Sequence, residues 1–122
     1  MYNTNDETIL YQMYVFSAIR AIADAPDAMG ITLLRTDKGN CYQFPFSPDP
    51  DFVPRAVHAL TESEDPHIRY LIHVWKDHTL DVPAYSLRRA LMGLHPENQD
   101  ALMMLAGENG FRILPLAETM CV

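Results

Sequence analysis

The stretch HIRYLIHVWKDH, from His67 to His78, decides the fold of this chain. Two sets of side chains alternate within it: Ile68, Tyr70, Ile72 and Val74 in the first set, and His67, Arg69, Leu71, His73 and Trp75 in the second. Strict alternation over a run of this length predicts a β-strand with two distinct faces. The first set is purely apolar apart from one tyrosine hydroxyl, so we expect it to face helices in the core.

The second face of this strand is less polar than a solvent-facing strand usually is. Tryptophan and arginine are enriched at the centres of binding surfaces. The pattern therefore makes this face a candidate binding surface, formed by His67, Arg69, His73 and Trp75. The alternative is that a helix or loop covers the face and that Trp75 is ordinary core.

A metal site within the strand is not expected. At roughly 3.3 Å per strand residue, the Cα atoms of His67 and His73 lie about 20 Å apart. A metal ion binds each imidazole nitrogen at about 2 Å, so these two histidines cannot share one ion within a single chain. The sequence predicts no metal site, no cofactor and no catalytic residue.

The segments around the strand predict helices and hairpins. A helix should run from Thr4 to about Ala25, with a core stripe formed by Ile9, Met13, Phe16, Ile19 and Ala23. Residues 31–35 and 41–46 flank a short polar loop with a glycine and predict a hairpin. A second helix should follow Asp51, a short return strand should include Leu80 and Val82, and a third helix should cover residues 84–93.

The segment from Ala101 to Ala106 is ambiguous because its residues favour a helix in isolation. Asn109-Gly110 lies between this apolar run and residues 111–116, and Asn-Gly between apolar runs is a strong hairpin signal. We therefore predict a hairpin, with a short helix as the alternative. Its layout resembles the first hairpin, which suggests an internal helix–hairpin repeat.

Together these elements predict one α+β domain over residues 1–122. The predicted architecture is an antiparallel sheet of five or six strands with about three helices packed mainly on one face. The expected order of elements is α-ββ-α-β(β)-α-ββ.

Composition and charge narrow the classes of partner. The formal net charge is −7 with nine Lys and Arg residues, and these are thinly spread, whereas nucleic-acid binding draws on clustered basic residues. The apolar run Ile9–Ile19 is too short to span a bilayer. The polar start of the chain is unlike a signal peptide, and two widely spaced cysteines are typical of a reducing compartment. We therefore expect a cytoplasmic protein that binds neither nucleic acid nor membrane.

Glycine-rich phosphate loops, zinc-protease motifs and serine-nucleophile motifs are all missing from the sequence. This favours a small acidic, non-enzymatic interaction protein that forms a homodimer or docks a protein partner through the second face of strand 67–76. The alternative is a small-ligand-binding protein or small enzyme with a pocket lined by His, Arg and Trp, in which His73 would act as acid and base. A weaker alternative is an acidic protein that masks a basic partner.

Overall fold

A computed structural model describes the backbone of residues 4–107 and 110–120 and the side chains of residues 12–107 and 111–120. Three α-helices lie in these ranges: α1 (Thr4–Asp24), α2 (Phe52–Glu62) and α3 (Tyr85–Leu94). The strands are β1 (Gly30–Thr36), β2 (Cys41–Phe46), β3 (Ile68–Trp75), β4 (Leu80–Asp81), β5 (Leu102–Gly107) and β6 (Gly110–Pro115). Two short 3₁₀ helices are η1 (Pro96–Asp100) and η2 (Leu116–Thr119).

The strands form one sheet in the order β2-β1-β3-β5-β6, and β4 pairs with the end of β3. β3 lies at the centre, so the strand with the clearest sequence signal is also the strand on which both hairpins assemble. The α+β class and the order of elements are confirmed, and the ambiguous segment that begins at Ala101 forms a strand, β5, rather than a helix.

The sheet is mixed rather than wholly antiparallel, which corrects one part of the prediction. β3 and β5 run parallel, with Tyr70 opposite Leu102 and Leu71 opposite Met103. The chain between them passes through β4, α3 and η1. A crossover connection of this length allows the next strand to return in the same direction.

Helices cover both faces of the sheet. α2 and α3 pack on one face, where the buried cluster includes Phe52, Leu60, Leu71, Leu87, Leu91 and Met103. α1 packs on the other face, against Ile31, Leu33, Ile72, Val74 and Met104. Two of the three helices share a face, as predicted. The face that they cover is the one that carries Leu71, so the covering by helices that the sequence left open as the alternative to a binding surface is what the structure has there.

The core stripe of α1 is misplaced in the prediction. Met13 is 58% exposed and Phe16 is 68% exposed, whereas Tyr14, Ala18 and Ile22 are buried. The helix carries apolar residues on two of its faces, so the helical period alone does not select the buried one. Ile9 lies outside the described side chains. Despite its length, α1 is not apolar enough to cross a bilayer, and no other described helix is.

The two hairpins lie on either side of β3 and run in opposite senses relative to it. Two repeated hairpins in this arrangement would be related by a two-fold axis normal to the sheet, and such an axis would keep their preceding helices on one face. α1 and α3 lie on opposite faces. The helices therefore do not follow the helix–hairpin repeat that the sequence suggested.

Candidate functional site

The four predicted binding residues do not meet at one place. His67 immediately precedes β3 and Arg69 lies near its start, whereas His73 and Trp75 lie at its end. Between the two pairs, Leu71 is fully buried beneath α2 and α3. The predicted surface is therefore divided into two neighbourhoods with different surroundings.

His73 belongs to the packed interior, since it is 2% exposed. Its ring packs edge-on against Phe46 and Trp75, at centroid distances of 5.3 Å and 4.4 Å. Its Nδ1 atom lies 2.8 Å from Thr32 Oγ1, whereas Nε2 has no hydrogen-bond partner. Burial lowers the pKa of His73, opposed by the negative charge of Asp81. A neutral, enclosed imidazole of this kind does not exchange protons with a substrate at the surface.

Trp75 sits half-buried at the rim of the same cluster. Its Nε1–H donates to Asp81 Oδ2 at 2.9 Å, and its ring meets Phe46 edge-on at 5.6 Å. Both the apolar body and the polar tip of the indole are thus used within the chain. Packing accounts for the tryptophan without a partner.

The first neighbourhood borders a cavity of about 420 Å³, here named the His67 pocket, which is lined by His67, Ile68, Arg69, Tyr70, Glu97, Asp100 and Leu102. Its apolar lining comes from Ile68, Tyr70 and Leu102, and the last two are opposite each other where β3 and β5 pair. Its charged lining comes from the start of β3 and from η1.

His67 makes three contacts with the groups around it. Its ring stacks on the ring of His95, with centroids 4.4 Å apart and planes 3° from parallel. Its Nε2 atom lies 3.4 Å from Glu97 Oε2, and its Nδ1 atom lies 3.8 Å from Asp37 Oδ2. The imidazole is therefore held between two carboxylates and a second imidazole.

His95 and Glu97 are placed by the start of η1. His95 has extended backbone and caps this short helix, and its Nδ1 accepts a hydrogen bond from the backbone N–H of Glu97 at 3.1 Å. Pro96 occupies the first helical position, where its missing N–H leaves no unsatisfied donor. This local turn sets both side chains against the start of β3.

Asn98 fixes η1 against its neighbours. The side chain is fully buried. Its Oδ1 accepts from the Ile68 N–H at 2.7 Å, and its Nδ2 donates to the carbonyls of Pro66 and Leu91 at 2.9 Å and 2.7 Å. The bonds to Pro66 and Ile68 hold the chain on both sides of His67. Asn98 therefore sets the spacing between His67 and η1, which carries Glu97.

Asp65 positions the β1–β2 turn that carries Asp37. Its buried Oδ2 accepts hydrogen bonds from Thr36 Oγ1, Asn40 Nδ2 and Tyr42 Oη, at 2.7, 2.9 and 3.2 Å. Burial opposes its ionisation, but these three bonds outweigh that and hold the pKa of the Asp65 carboxyl below its ordinary value. The β1–β2 turn, which carries Asp37, is thereby tied to the segment that precedes β3.

The charges around the pocket favour a cation. Arg69 lies 3.5 Å from Asp37 Oδ1, so its positive charge is already matched. Glu97 and Asp100 add two carboxylates to the lining, and His67 and His95 add imidazole nitrogens that coordinate metals when neutral. The arrangement can bind a positively charged group or a metal ion.

Sequence reasoning missed His95, Glu97, Asp37, Asn98 and Asp100. His95 and Glu97 lie just beyond the end of α3, and Asp37 lies in the turn between β1 and β2, where polar residues are common without a functional role. Their proximity to His67 depends on how β5 and the β1–β2 turn flank β3. No spacing in the sequence carries that information.

No family model matches this chain, and no curated protein matches it.

Proposed function

We propose that this chain is a non-enzymatic binding domain that takes a small cationic ligand in the His67 pocket. The observation that supports this proposal most is the excess of negative charge in the pocket. Glu97 and Asp100 line it, and the positive charge of Arg69 is balanced by Asp37. The net charge of −7 adds long-range attraction for cations in the same direction.

The size of the pocket supports a small ligand. Its volume of about 420 Å³ lies within the range of cavities that bind small molecules. Tyr70 and Leu102 provide apolar surface for the body of such a ligand, and the carboxylates provide the charged contacts.

Cys41 is a free, exposed thiol, which is typical of a reducing compartment and fits the cytoplasmic location we propose.

A charge-matched pair of probes tests this proposal. Butylamine and butyrate have alkyl chains of similar length and opposite charge, so they separate electrostatic recognition from apolar contact. In ¹H–¹⁵N NMR titrations we expect butylamine to shift the backbone amides of Arg69, Tyr70 and Glu97, and butyrate to leave them in place. A double variant, Glu97→Gln with Asp100→Asn, should abolish the butylamine shifts.

The matched control for that variant is Asp49→Asn. It neutralises an exposed carboxylate that is paired with Arg55 and does not line the His67 pocket. Butylamine should still shift the pocket amides in this control. Equal responses to both probes, or shifts confined to other parts of the protein, would reject the proposal.

A second candidate function is self-association through α1. It keeps the predicted self-association but moves it from the second face of β3 to a different surface. Met13 and Phe16 are exposed next to each other on this helix. The same side carries Arg20 and Asp24, of opposite charge, so a second copy of the chain meets no net repulsion there. Two identical faces related by a two-fold axis would bury both apolar residues.

Sedimentation velocity tests this second candidate. We expect wild type to sediment as a dimer and Phe16→Asp as a monomer. Met29→Asp is the matched control, because Met29 is also a large exposed apolar residue but lies outside α1. A monomeric wild type at high micromolar concentration rejects self-association.

A further inference from the structure

We infer that His67, His95 and Glu97 together bind a divalent transition-metal ion at the rim of the His67 pocket. This inference rests on the proposed function, because it names the cation that the pocket takes. Each residue offers one donor atom, and the three donors lie within 4.8 Å of one another.

Two of the donors already have the spacing that a metal requires. In a tetrahedral zinc site with bonds of about 2.0–2.1 Å, neighbouring donors lie about 3.4 Å apart. His67 Nε2 and Glu97 Oε2 are 3.4 Å apart. An ion placed between them needs no change in the strand or in η1.

Asp37 supplies the outer support that metal-binding histidines usually have. A ligating imidazole commonly donates its other N–H to a carboxylate, which fixes the ring and its tautomer. With Nε2 of His67 on the metal, Nδ1–H faces Asp37 Oδ2 at 3.8 Å. A small turn of the Asp37 side chain completes this hydrogen bond, and Asp37 itself stays off the metal.

His95 must turn to complete the site. Its ring is stacked parallel to His67, and parallel rings direct their in-plane lone pairs alongside each other rather than at one point. Its Nδ1 accepts from the Glu97 N–H. Coordination through Nδ1 uses that lone pair, and coordination through Nε2 requires a proton on Nδ1. Either mode therefore breaks this hydrogen bond, which makes the Glu97 amide a reporter of metal binding.

The donor set defines the class of ion. Two imidazole nitrogens and one carboxylate oxygen suit Zn²⁺, Co²⁺ and Ni²⁺ better than Mg²⁺ or Ca²⁺, which prefer oxygen ligands. Three protein ligands leave a coordination position for water or for a ligand group. Because His67 and Glu97 line the same cavity as Tyr70 and Leu102, a ligand bound in the cavity would be next to the metal.

Isothermal titration calorimetry with Zn²⁺ and with Mg²⁺ tests the inference. We expect one Zn²⁺ per chain and no measurable Mg²⁺ binding. His67→Ala and His95→Ala should each weaken Zn²⁺ binding at least tenfold, with folding checked by circular dichroism. His58→Ala is the matched control, because His58 lies 3.2 Å from Glu62 and forms an exposed His–carboxylate pair without a second histidine. It should leave Zn²⁺ affinity unchanged.

Two readouts distinguish a built site from loose surface binding. Asp37→Asn should weaken Zn²⁺ binding by about 10–100-fold, since an outer-shell carboxylate is expected to have an effect of that size. The Glu97 amide signal should move on Zn²⁺ addition in wild type and not in His95→Ala. Tetrahedral coordination should also give Co²⁺-loaded protein strong visible absorption.

Zn²⁺ binding that is equally tight in His67→Ala, His95→Ala and His58→Ala would overturn the inference, as would an absence of Zn²⁺ binding to wild type. Butylamine separates this failure from failure of the proposed function. If Zn²⁺ does not bind but butylamine still shifts the pocket amides, the metal inference alone is wrong. If neither binds, both are wrong.

Discussion

Asn98 shows how a single buried side chain positions the candidate site. It satisfies one backbone N–H and two backbone carbonyls in two parts of the chain, Pro66 and Ile68 on either side of His67 and Leu91 in α3. Buried backbone groups of this kind are costly when left without partners. The distance between His67 and Glu97 is therefore a consequence of a side chain that touches neither the pocket nor a ligand.

Removing this side chain should destabilise the whole protein. We expect Asn98→Ala to lower the free energy of unfolding by about 2–4 kcal/mol, because it leaves buried polar groups at Ile68, Pro66 and Leu91 without partners. Urea denaturation measures this loss. Gln99→Ala, at an exposed neighbouring position, should change stability by less than about 0.5 kcal/mol. Equal effects of the two substitutions would contradict the role given to Asn98.

His73 should make stability fall on mild acidification. Its pKa is lowered in the folded state from the ordinary value of 6.5, so the unfolded chain binds the proton more readily. Its favourable contribution is complete above pH 6.5 and is lost as the pH falls from there through the lower folded pKa. We expect His73→Phe to flatten the stability profile between pH 6.5 and 5. An unchanged slope in this variant would show that other groups cause it.

Asp65 should act in a separate, more acidic window. Its hydrogen bonds hold its folded pKa below the ordinary value of 3.8. Its contribution is therefore present above about pH 4 and is lost as the pH falls through the folded pKa. Asp65→Asn should reduce the loss of stability below pH 4 and leave the His73 window unchanged, as measured by urea denaturation across pH. Coupled changes in both windows would contradict this separation.

At the scale of elements, α1 is the helix whose role differs most from expectation. It buries Tyr14, Ala18 and Ile22 against β1 and β3, and leaves Met13 and Phe16 exposed. Tyr14 is also placed by a hydrogen bond from Arg35 and by its contact with the ring of Tyr70. These contacts of Tyr14 help to select the buried face of α1, and hydrophobic periodicity does not reveal them.

The two faces of α1 should respond differently to truncation. Ile22→Ala removes buried methyl groups from the core and should cost about 2–4 kcal/mol. Phe16→Ser removes exposed surface and should change the stability of the monomer by less than about 0.5 kcal/mol. Thermal unfolding at low protein concentration compares them without the effect of self-association. A larger loss of stability in Phe16→Ser than in Ile22→Ala would show that Phe16 belongs to the buried face of α1, as the sequence predicts.

The elements themselves were largely predictable because each has a local signal. Alternation marked β3, glycine-containing polar loops marked the hairpins, and Asn109-Gly110 outweighed the helix propensity of residues 101–106. What covers each face was not predictable. Leu71 and Trp75 indicated that the second face of β3 is not exposed to solvent. Their residue types do not show whether a partner protein or the chain's own helices α2 and α3 cover it.

At the scale of the whole molecule, the site forms where three distant parts of the chain meet: the β1–β2 turn with Asp37, the start of β3 with His67, and η1 with Glu97. The mixed topology creates this meeting point, because η1 leads directly into β5, which pairs in parallel with β3. Two of the predicted binding residues, His67 and Arg69, lie here because they begin the central strand. Their partners are separated from them in sequence and carry no motif.

The central claim is that His67, His95 and Glu97 bind a divalent metal ion at the rim of the His67 pocket, and the thermal midpoint of unfolding measured with Zn²⁺ tests it most directly. A ligand that binds only the folded state at 100 times its dissociation constant stabilises it by about 2.7 kcal/mol, which for a domain of this size raises the midpoint by about 10 °C. We predict such a rise for wild type and for His58→Ala, its reversal by EDTA, and no rise for the double variant Glu97→Gln with His67→Ala. A wild-type midpoint that Zn²⁺ leaves unchanged, or a rise of equal size in the double variant, would contradict the account.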